Sequence, residues 1–278
     1  MIAAAWPTAT GPAAGLPRRA EVHVWGAELD QRADVRARLG EALSADEAER
    51  AARFHFPRDR DHFVTARGWL RAVLGGYLAT APGLLRFRYG PRGKPALDGA
   101  AAGSGLRFNL SHSGGLALLA VACERELGVD VEARRPLADA DEIAQRFFSP
   151  RESATFRALG ADVRQRAFFE CWTRKEAYIK ATGDGLARDL ADFDVAFAPG
   201  EPARLERVRF DPAETQRWWL CALDPAPGFA AALAVEGGAA RVRCRHWIPP
   251  QSDRHASGPP TVKAADGKQG GPLWAGTR

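Results

Sequence analysis

The stretch Leu127-Gly128-Val129-Asp130-Val131-Glu132 places two carboxylates two residues apart. On a strand they project from one face while Val129 and Val131 point to the other. Neighbouring carboxylates repel, and a hard cation between them relieves the repulsion. The same letters also describe an amphipathic strand with a wet face. In Trp172-Thr173-Arg174-Lys175-Glu176-Ala177-Tyr178-Ile179-Lys180, helical geometry aligns Trp172, Glu176 and Lys180 on one stripe. Glu followed by Lys at this step is the favourable order for a surface ion pair. Against that, a Trp on the stripe, with Tyr178 and Ile179 beside it, points to a buried edge. The stretch Phe108-Asn109-Leu110-Ser111-His112-Ser113-Gly114-Gly115 reads as a strand ending in a small polar loop, where backbone N–H groups hold an anion. There His112 either adds a charge-assisted bond to a phosphate or serves as a structural hydrogen-bonder. Gly93-Lys94-Pro95 is a fixed turn that presents Lys94.

In their order, these stretches resemble the Sfp-type 4′-phosphopantetheinyl transferases. The marks of that family are G-K-P, F-N-x-S-H-S, G-[VI]-D-[VI]-E and W-x-x-K-E-[AS]-x-x-K followed by G-x-G-L. The last of these is Gly183-Asp184-Gly185-Leu186 here. The resemblance runs from Glu21 to Trp247, and its motif core lies between residues 93 and 186. It implies a pseudo-symmetric α/β (α+β) monomer of two similar halves, with coenzyme A bound between them. The implied reaction moves phosphopantetheine from coenzyme A to a serine of an acyl, polyketide or peptidyl carrier protein and releases adenosine 3′,5′-bisphosphate. Asp130, Glu132 and Glu176 match the family's Mg2+ ligands, and Lys180 the lysine near the pyrophosphate. His112 matches the histidine at the 3′-phosphate, flanked by Ser111 and Ser113 in the cofactor-binding segment. Lys94 matches a further cofactor contact, and Lys175 is a motif residue assigned to the same site. Between Ser44 and Arg71 the family's basic helical character persists, but its individual phosphate-contacting positions do not align, so none is carried over.

The chemistry suits these residue types. Attack on a pyrophosphate adds charge to oxygens that are already anionic; a divalent cation and positioned lysines such as Lys180 stabilise it. The serine must lose its proton, to Glu176 or to a water on the metal. Two other classes compete. A metal-dependent nuclease also uses Asp-x-Glu with a Glu and a Lys, but usually two apart on a strand, whereas Glu176 and Lys180 have helical spacing. A non-catalytic RNA-binding module would suit the net charge of +5 and the eight Trp. It leaves three carboxylates unexplained, because clustered carboxylates repel a phosphate backbone.

Elements must hold these groups in place. Strand-like stretches are Val22–Trp25, Leu85–Tyr89, Leu106–Leu110, Leu116–Cys123 and Leu127–Glu132. Helices are expected over Asp34–Leu43, from Ser44 with Glu47 as a capping box, over Arg58–Thr80, around Asp139–Phe147, from Ser149-Pro150-Arg151-Glu152, and over Val163–Ala181. Arg60, Arg67 and Arg71 share one helix face, either as a solvated flank or as an anion site. Later stretches alternate like a β-meander, with Gly237-Gly238 as a hairpin turn between Phe229–Val235 and Arg241–Trp247. The expected organisation is a disordered leader (1–20), an N-terminal half (21–125), a C-terminal half carrying the metal site (126–248) and a disordered tail (249–278). No apolar run approaches the roughly 18 residues of a membrane span, and the four well-separated cysteines read as reduced thiols. Both point to a cytoplasmic protein that binds no membrane, and the clustered carboxylates to one that binds no nucleic acid.

Overall fold

Two 22-residue helices, each preceded by a short helix that opens with a capping box, organise the chain. The computed structural model describes residues 6–12, 15–183, 185 and 188–250. Strand β1 is Thr8–Ala9 and β2 is Glu21–Glu28; α1 (Ala33–Gly40), α2 (Ala45–Ala52) and the long α3 (Pro57–Leu78) follow. Then come β3 (Arg86–Tyr89), β4 (Pro95–Asp98), β5 (Leu106–Ser113) and β6 (Leu116–Cys123). The order then repeats: β7 (Leu127–Ala133), α4 (Ala140–Phe147), α5 (Pro150–Ala158), the long α6 (Ala161–Thr182), β8 (Phe193–Val195), β9 (Leu205–Val208), a short α7 (Glu214–Arg217), β10 (Trp218–Leu223) and β11 (Phe229–Glu236). The expected two-half mixed α/β architecture is thus present, and β12 (Arg241–Trp247) closes it.

Pairing carries the same repeat. One sheet contains the order β2-β6-β5 and the other β7-β11-β10, so each strand has a counterpart. One face of each sheet packs on its own long helix, around Trp69 and Leu70 in the first half and around Phe168 and Tyr178 in the second. The remaining faces share a third core: Val22 and Val24, Leu118 and Ala120, Val129 and Val131, Leu233 and Val235. Apolar residues of both halves therefore share this third core, between the two that each half builds on its own helix.

The halves also repeat a buried staple. Glu47 of the first capping box accepts from Arg71 Nε at 2.6 Å and pairs with Arg67. Glu152 of the second accepts from Lys175 Nζ at 2.6 Å. Arg71 and Lys175 stand at the same step along their helices, and each cation lies over an aromatic ring, Phe87 or Phe193. Of the arginine stripe, only Arg60 is a solvated flank. Arg67 and Arg71 are buried structural partners of Glu47, and the exposed Arg60 pairs with Asp61.

Three expectations about the ends need correction. The leader is not wholly outside the fold: β1 pairs parallel with β12, and Trp247 Nε1 donates to Thr10 O at 2.9 Å. Gly237-Gly238 is not a hairpin turn, because β12 leaves the second sheet and pairs parallel with β2. The half assigned to 126–248 thus surrenders its last strand to the other half's sheet. The physical reason is β2's open edge, whose unpaired backbone groups need covering. The tail from residue 251 lies outside the described residues. No described helix is long and apolar enough to cross a membrane.

Candidate functional site

Among the described residues, the equivalent edge of β7 has no further strand. It meets β5, the outer strand of the first sheet, through side chains. Asn109, Ser111 and Ser113 lie on one face of β5, at every second residue. Asn109 Oδ1 accepts from Val129 N at 2.9 Å, Ser111 Oγ from Val131 N at 3.4 Å, and Ser113 Oγ from Ala133 N at 3.2 Å. Three side chains thus stand in for a missing backbone ladder and join the halves. Two of them do more: Ser111 Oγ donates to Asp130 Oδ1 at 2.9 Å and Ser113 Oγ to Glu132 Oε2 at 2.7 Å. This overturns the loop reading of the segment. Its backbone is a regular strand paired with β6 as far as Ser113, and the two hydroxyls serve the carboxylates of β7. The turn comes only at Gly114-Gly115, both at positive φ.

Helix α6 comes extremely close to β7 at Gly128. A Cβ there would meet Ala177 O at 2.2 Å and Ala181 N at 2.3 Å, so only glycine permits this approach. The consequence is that Glu176 and Lys180 reach the carboxylate face of β7. Lys180 Nζ donates to Asp130 Oδ1 at 2.5 Å and to Ser111 Oγ at 3.1 Å, and the helical ion pair with Glu176 does not form. Trp172 goes instead to the aromatic core, stacked on Phe168.

Burial raises the pKa of all three carboxyls. For Asp130 it outweighs the Lys180 charge. For Glu132 it outweighs the Ser113 bond, and Asp130 adds to the rise. For Glu176 it outweighs Lys180, with Asp130 and Glu132 both adding. Glu132 thus senses the charge of Asp130, and Glu176 that of both. Asp130 Oδ2 is buried without a hydrogen-bond partner among the described residues. Such an oxygen is costly unless a donor or cation comes to it. Hard oxygen donors that repel one another, one of them unpartnered, fit a divalent cation such as Mg2+. As the side chains stand, no three His, Cys, Asp or Glu among the described residues converge tightly enough to enclose an ion, and Lys180 is the cation against Asp130.

The remaining candidates divide. His112 is an exposed residue of β5. Loss of hydration by neighbouring groups, then the charges of Lys180 and His62, hold its imidazole below the usual value. Lys175 is not at the site: it is fully buried between Glu152 and Phe193 O, because the helix turns it away from Glu176. Lys94 does stand at the seam, partly exposed on the cleft, with its Nζ bonded to three protein acceptors: Glu126 Oε2 at 3.0 Å, Leu127 O at 3.1 Å and Ala181 O at 3.0 Å. A cleft of about 280 Å3 opens between the turn around Lys94 and α6, with Asn109, Glu176, Ile179 and Lys180 in its wall. A larger cavity of about 540 Å3, beside Leu84 and Asp98, contains none of the candidate residues. Of the motif Gly183-Asp184-Gly185-Leu186, Asp184 and Leu186 lie outside the described residues.

Comparison with known proteins adds to this geometry. A sequence profile described as the 4′-phosphopantetheinyl transferase superfamily matches residues 126–234, and one for the 4′-phosphopantetheinyl transferase N-terminal region matches residues 32–124. The chain is 48% identical over 217 residues to 4′-phosphopantetheinyl transferase HetI of Nostoc sp., covering 78% of this chain and 88% of that protein. It is 30% identical over 174 residues to the 4′-phosphopantetheinyl transferase of Bacillus subtilis, covering 62% of this chain and 75% of the relative. Against 4′-phosphopantetheinyl transferase AcpT of Escherichia coli (strain K12) the identity is 38% over 131 residues, covering 46% and 64%.

Proposed function

The chain belongs to the 4′-phosphopantetheinyl transferase superfamily and is an enzyme of that activity, and from this we propose that it loads a carrier protein from coenzyme A. In this reading the serine hydroxyl of an acyl, polyketide or peptidyl carrier attacks the β-phosphorus of coenzyme A. One phosphorus–oxygen bond forms to the serine, the bond to the bridging oxygen breaks, and adenosine 3′,5′-bisphosphate departs. The observation that carries the reading is the unpartnered, buried Asp130 Oδ2 beside Lys180, at the seam where β7, α6 and β5 converge.

Asp130, Glu132 and Glu176 would hold Mg2+, which when bound neutralises phosphoryl oxygens and orients them for in-line attack. Lys180 already faces Asp130 and supplies a second positive charge to the developing leaving group. Glu176 suits the proton acceptor, since burial and two neighbouring carboxylates make it a stronger base than a solvated glutamate. His112, on the same edge strand, is assigned to the 3′-phosphate; the anion would favour its protonated form. Ser111 and Ser113 keep Asp130 and Glu132 in place, a task upstream of any contact of their own with the cofactor. One chain supplies both halves, which agrees with a monomeric unit.

The test is direct. Purified protein is incubated with coenzyme A, Mg2+ and an apo carrier protein, and the carrier is read by intact mass. Gain of one phosphopantetheinyl group is expected, with none when a chelator is in excess. An unmodified carrier under every loading condition would remove the carrier assignment, and full turnover in chelator would remove the metal.

A further inference from the structure

We infer that Lys94 is a positioning residue that clamps the catalytic half together, and that it is not a phosphate ligand. An ammonium group has three N–H donors and no acceptor. Here the three acceptors are Glu126 Oε2, Leu127 O and Ala181 O, at 3.0, 3.1 and 3.0 Å. No N–H remains for a cofactor oxygen. Each acceptor belongs to the C-terminal half, whereas Lys94 comes from the turn between β3 and β4 in the N-terminal half.

The identity of those acceptors gives the clamp its purpose. Ala181 O lies in the last turn of α6, where carbonyls lack intrahelical partners and the helix dipole favours a cation. Leu127 opens β7, immediately before Gly128. Lys94 therefore bridges the very end of α6 to the very start of β7, across the contact that only Gly128 permits. That contact sets the distance from Glu176 and Lys180 on the helix to Asp130 and Glu132 on the strand. Glu126 completes the device and also accepts from Arg107 Nε on β5 at 3.0 Å, which ties the clamp to the edge strand carrying Ser111. The turn is rigid enough to hold it: Gly90 N donates to Lys94 O at 2.9 Å, Gly93 sits at φ +81, and Pro95 fixes the next φ.

The inference rests on coenzyme A being the cofactor, so the experiment begins with the unaltered protein. Failure of that protein to bind coenzyme A by calorimetry would sink the cofactor reading itself. Lys94→Met and Lys94→Arg are then compared for coenzyme A Kd and for kcat of carrier loading, well below their melting temperatures. A misplacement near 1 Å costs about 10²-fold in rate, so kcat is expected to fall roughly 10- to 100-fold in both variants. Kd should stay within about threefold of the unaltered protein, less than one lost charged hydrogen bond would cost. Arginine is the informative replacement. Its planar fork binds phosphate at least as well as lysine, but it cannot aim three donors at acceptors gathered round one nitrogen. Weakened coenzyme A binding in Lys94→Met with kcat preserved, and recovery of binding in Lys94→Arg, would overturn the clamp in favour of a phosphate contact. A lower melting temperature with kcat and Kd both unchanged would reduce it to a fold contact and equally overturn it. Should Lys94→Met fail to fold, Glu126→Gln removes the charged acceptor while leaving the lysine free for a phosphate. The clamp predicts a smaller fall in kcat at unchanged Kd, and unchanged kcat would contradict it.

Discussion

Glu176 is the residue on which metal holding and proton transfer meet. Asp130 and Glu132 share the strand face held by Ser111 and Ser113, whereas Glu176 arrives from α6 and borders the open cleft. If it only ligates the metal, Glu176→Gln should recover its rate as Mg2+ is raised. As the base, it should remain slow at saturating Mg2+, by about 10²–10⁴-fold, since an amide accepts no proton. The second outcome is expected, with Asp130→Asn as the control that recovers; recovery of both would remove the base role. His112→Ala addresses the other end of the cofactor. It should weaken coenzyme A by roughly ten- to a hundredfold, the cost of a hydrogen bond to a charged group, and 3′-dephospho-coenzyme A much less. Equal weakening of both would take His112 away from the 3′-phosphate. That Asp130 and Glu132 share a face was legible from spacing, because a strand's period of two dictates it, whereas their joining with Glu176 came only through the family resemblance. The places of the two lysines were not legible. What Lys94 and Lys175 bond depends on carbonyls and carboxylates from remote segments, Ala181 O in one case and Glu152 in the other. Asn109 was in view yet unassigned, although its two-residue spacing from Ser111 and Ser113 was the available signal.

Helix ends and strand contacts decide how well those residues meet. Gly128→Ala inserts a Cβ where the backbone of α6 lies 2.2 Å away, so the helix must retreat. Overpacking of this kind costs about 1–3 kcal/mol. The loading rate should fall by about 10²-fold from the displacement of Glu176 and Lys180, at nearly unchanged coenzyme A affinity. An unchanged rate would show that the approach is not what sets the site. The staples differ in their pH behaviour. Burial would raise Glu47, but the Arg71 bond and the Arg67 charge outweigh it and lower the pKa below 4.5. A lowered carboxyl stabilises the fold above its unfolded value and loses that contribution as pH falls through the folded one. The melting-temperature gap between the unaltered protein and Glu47→Gln should thus be wide at pH 7 and close as the pH drops below about 4. A gap independent of pH would contradict the charge role. Glu152 has the opposite sign: burial dominates and raises it, and Lys175 offsets only part. Both capping boxes were readable as Ser followed three residues later by Glu, which is why the helix starts were well placed. Strand β4 was missed because Pro95-Ala96-Leu97-Asp98 has neither β-branched residues nor clean alternation, and among the described residues it pairs only with β3.

At the scale of the molecule, the decisive feature is that the last strand returns to the first sheet. Local patterning identifies β12 but cannot say which edge it will cover, and the Gly237-Gly238 step invited a hairpin. Pairing with β2 instead sends Val242 and Cys244 into the shared core and Trp247 into the N-terminal one, against Trp69 at 6.4 Å between ring centroids. Strand β1 then adds to the far side of β12. The halves are accordingly not independent folding units, even though their elements repeat. Trp247→Ala should cost about 3–5 kcal/mol, as for a large aromatic removed from a core. Ending the chain after Gly238 should do far more, since it opens the β2 edge, leaves β1 without a partner and removes the C-terminal cover from Trp69. The expected result is a protein that shows no cooperative thermal transition by circular dichroism, while residues 1–250 retain one. Supplying residues 239–250 as a peptide should restore part of it if strand pairing is the cause. A sharp transition in the shortened chain, close to that of the longer one, would mean that each half holds its own core and that β12 merely decorates the first sheet.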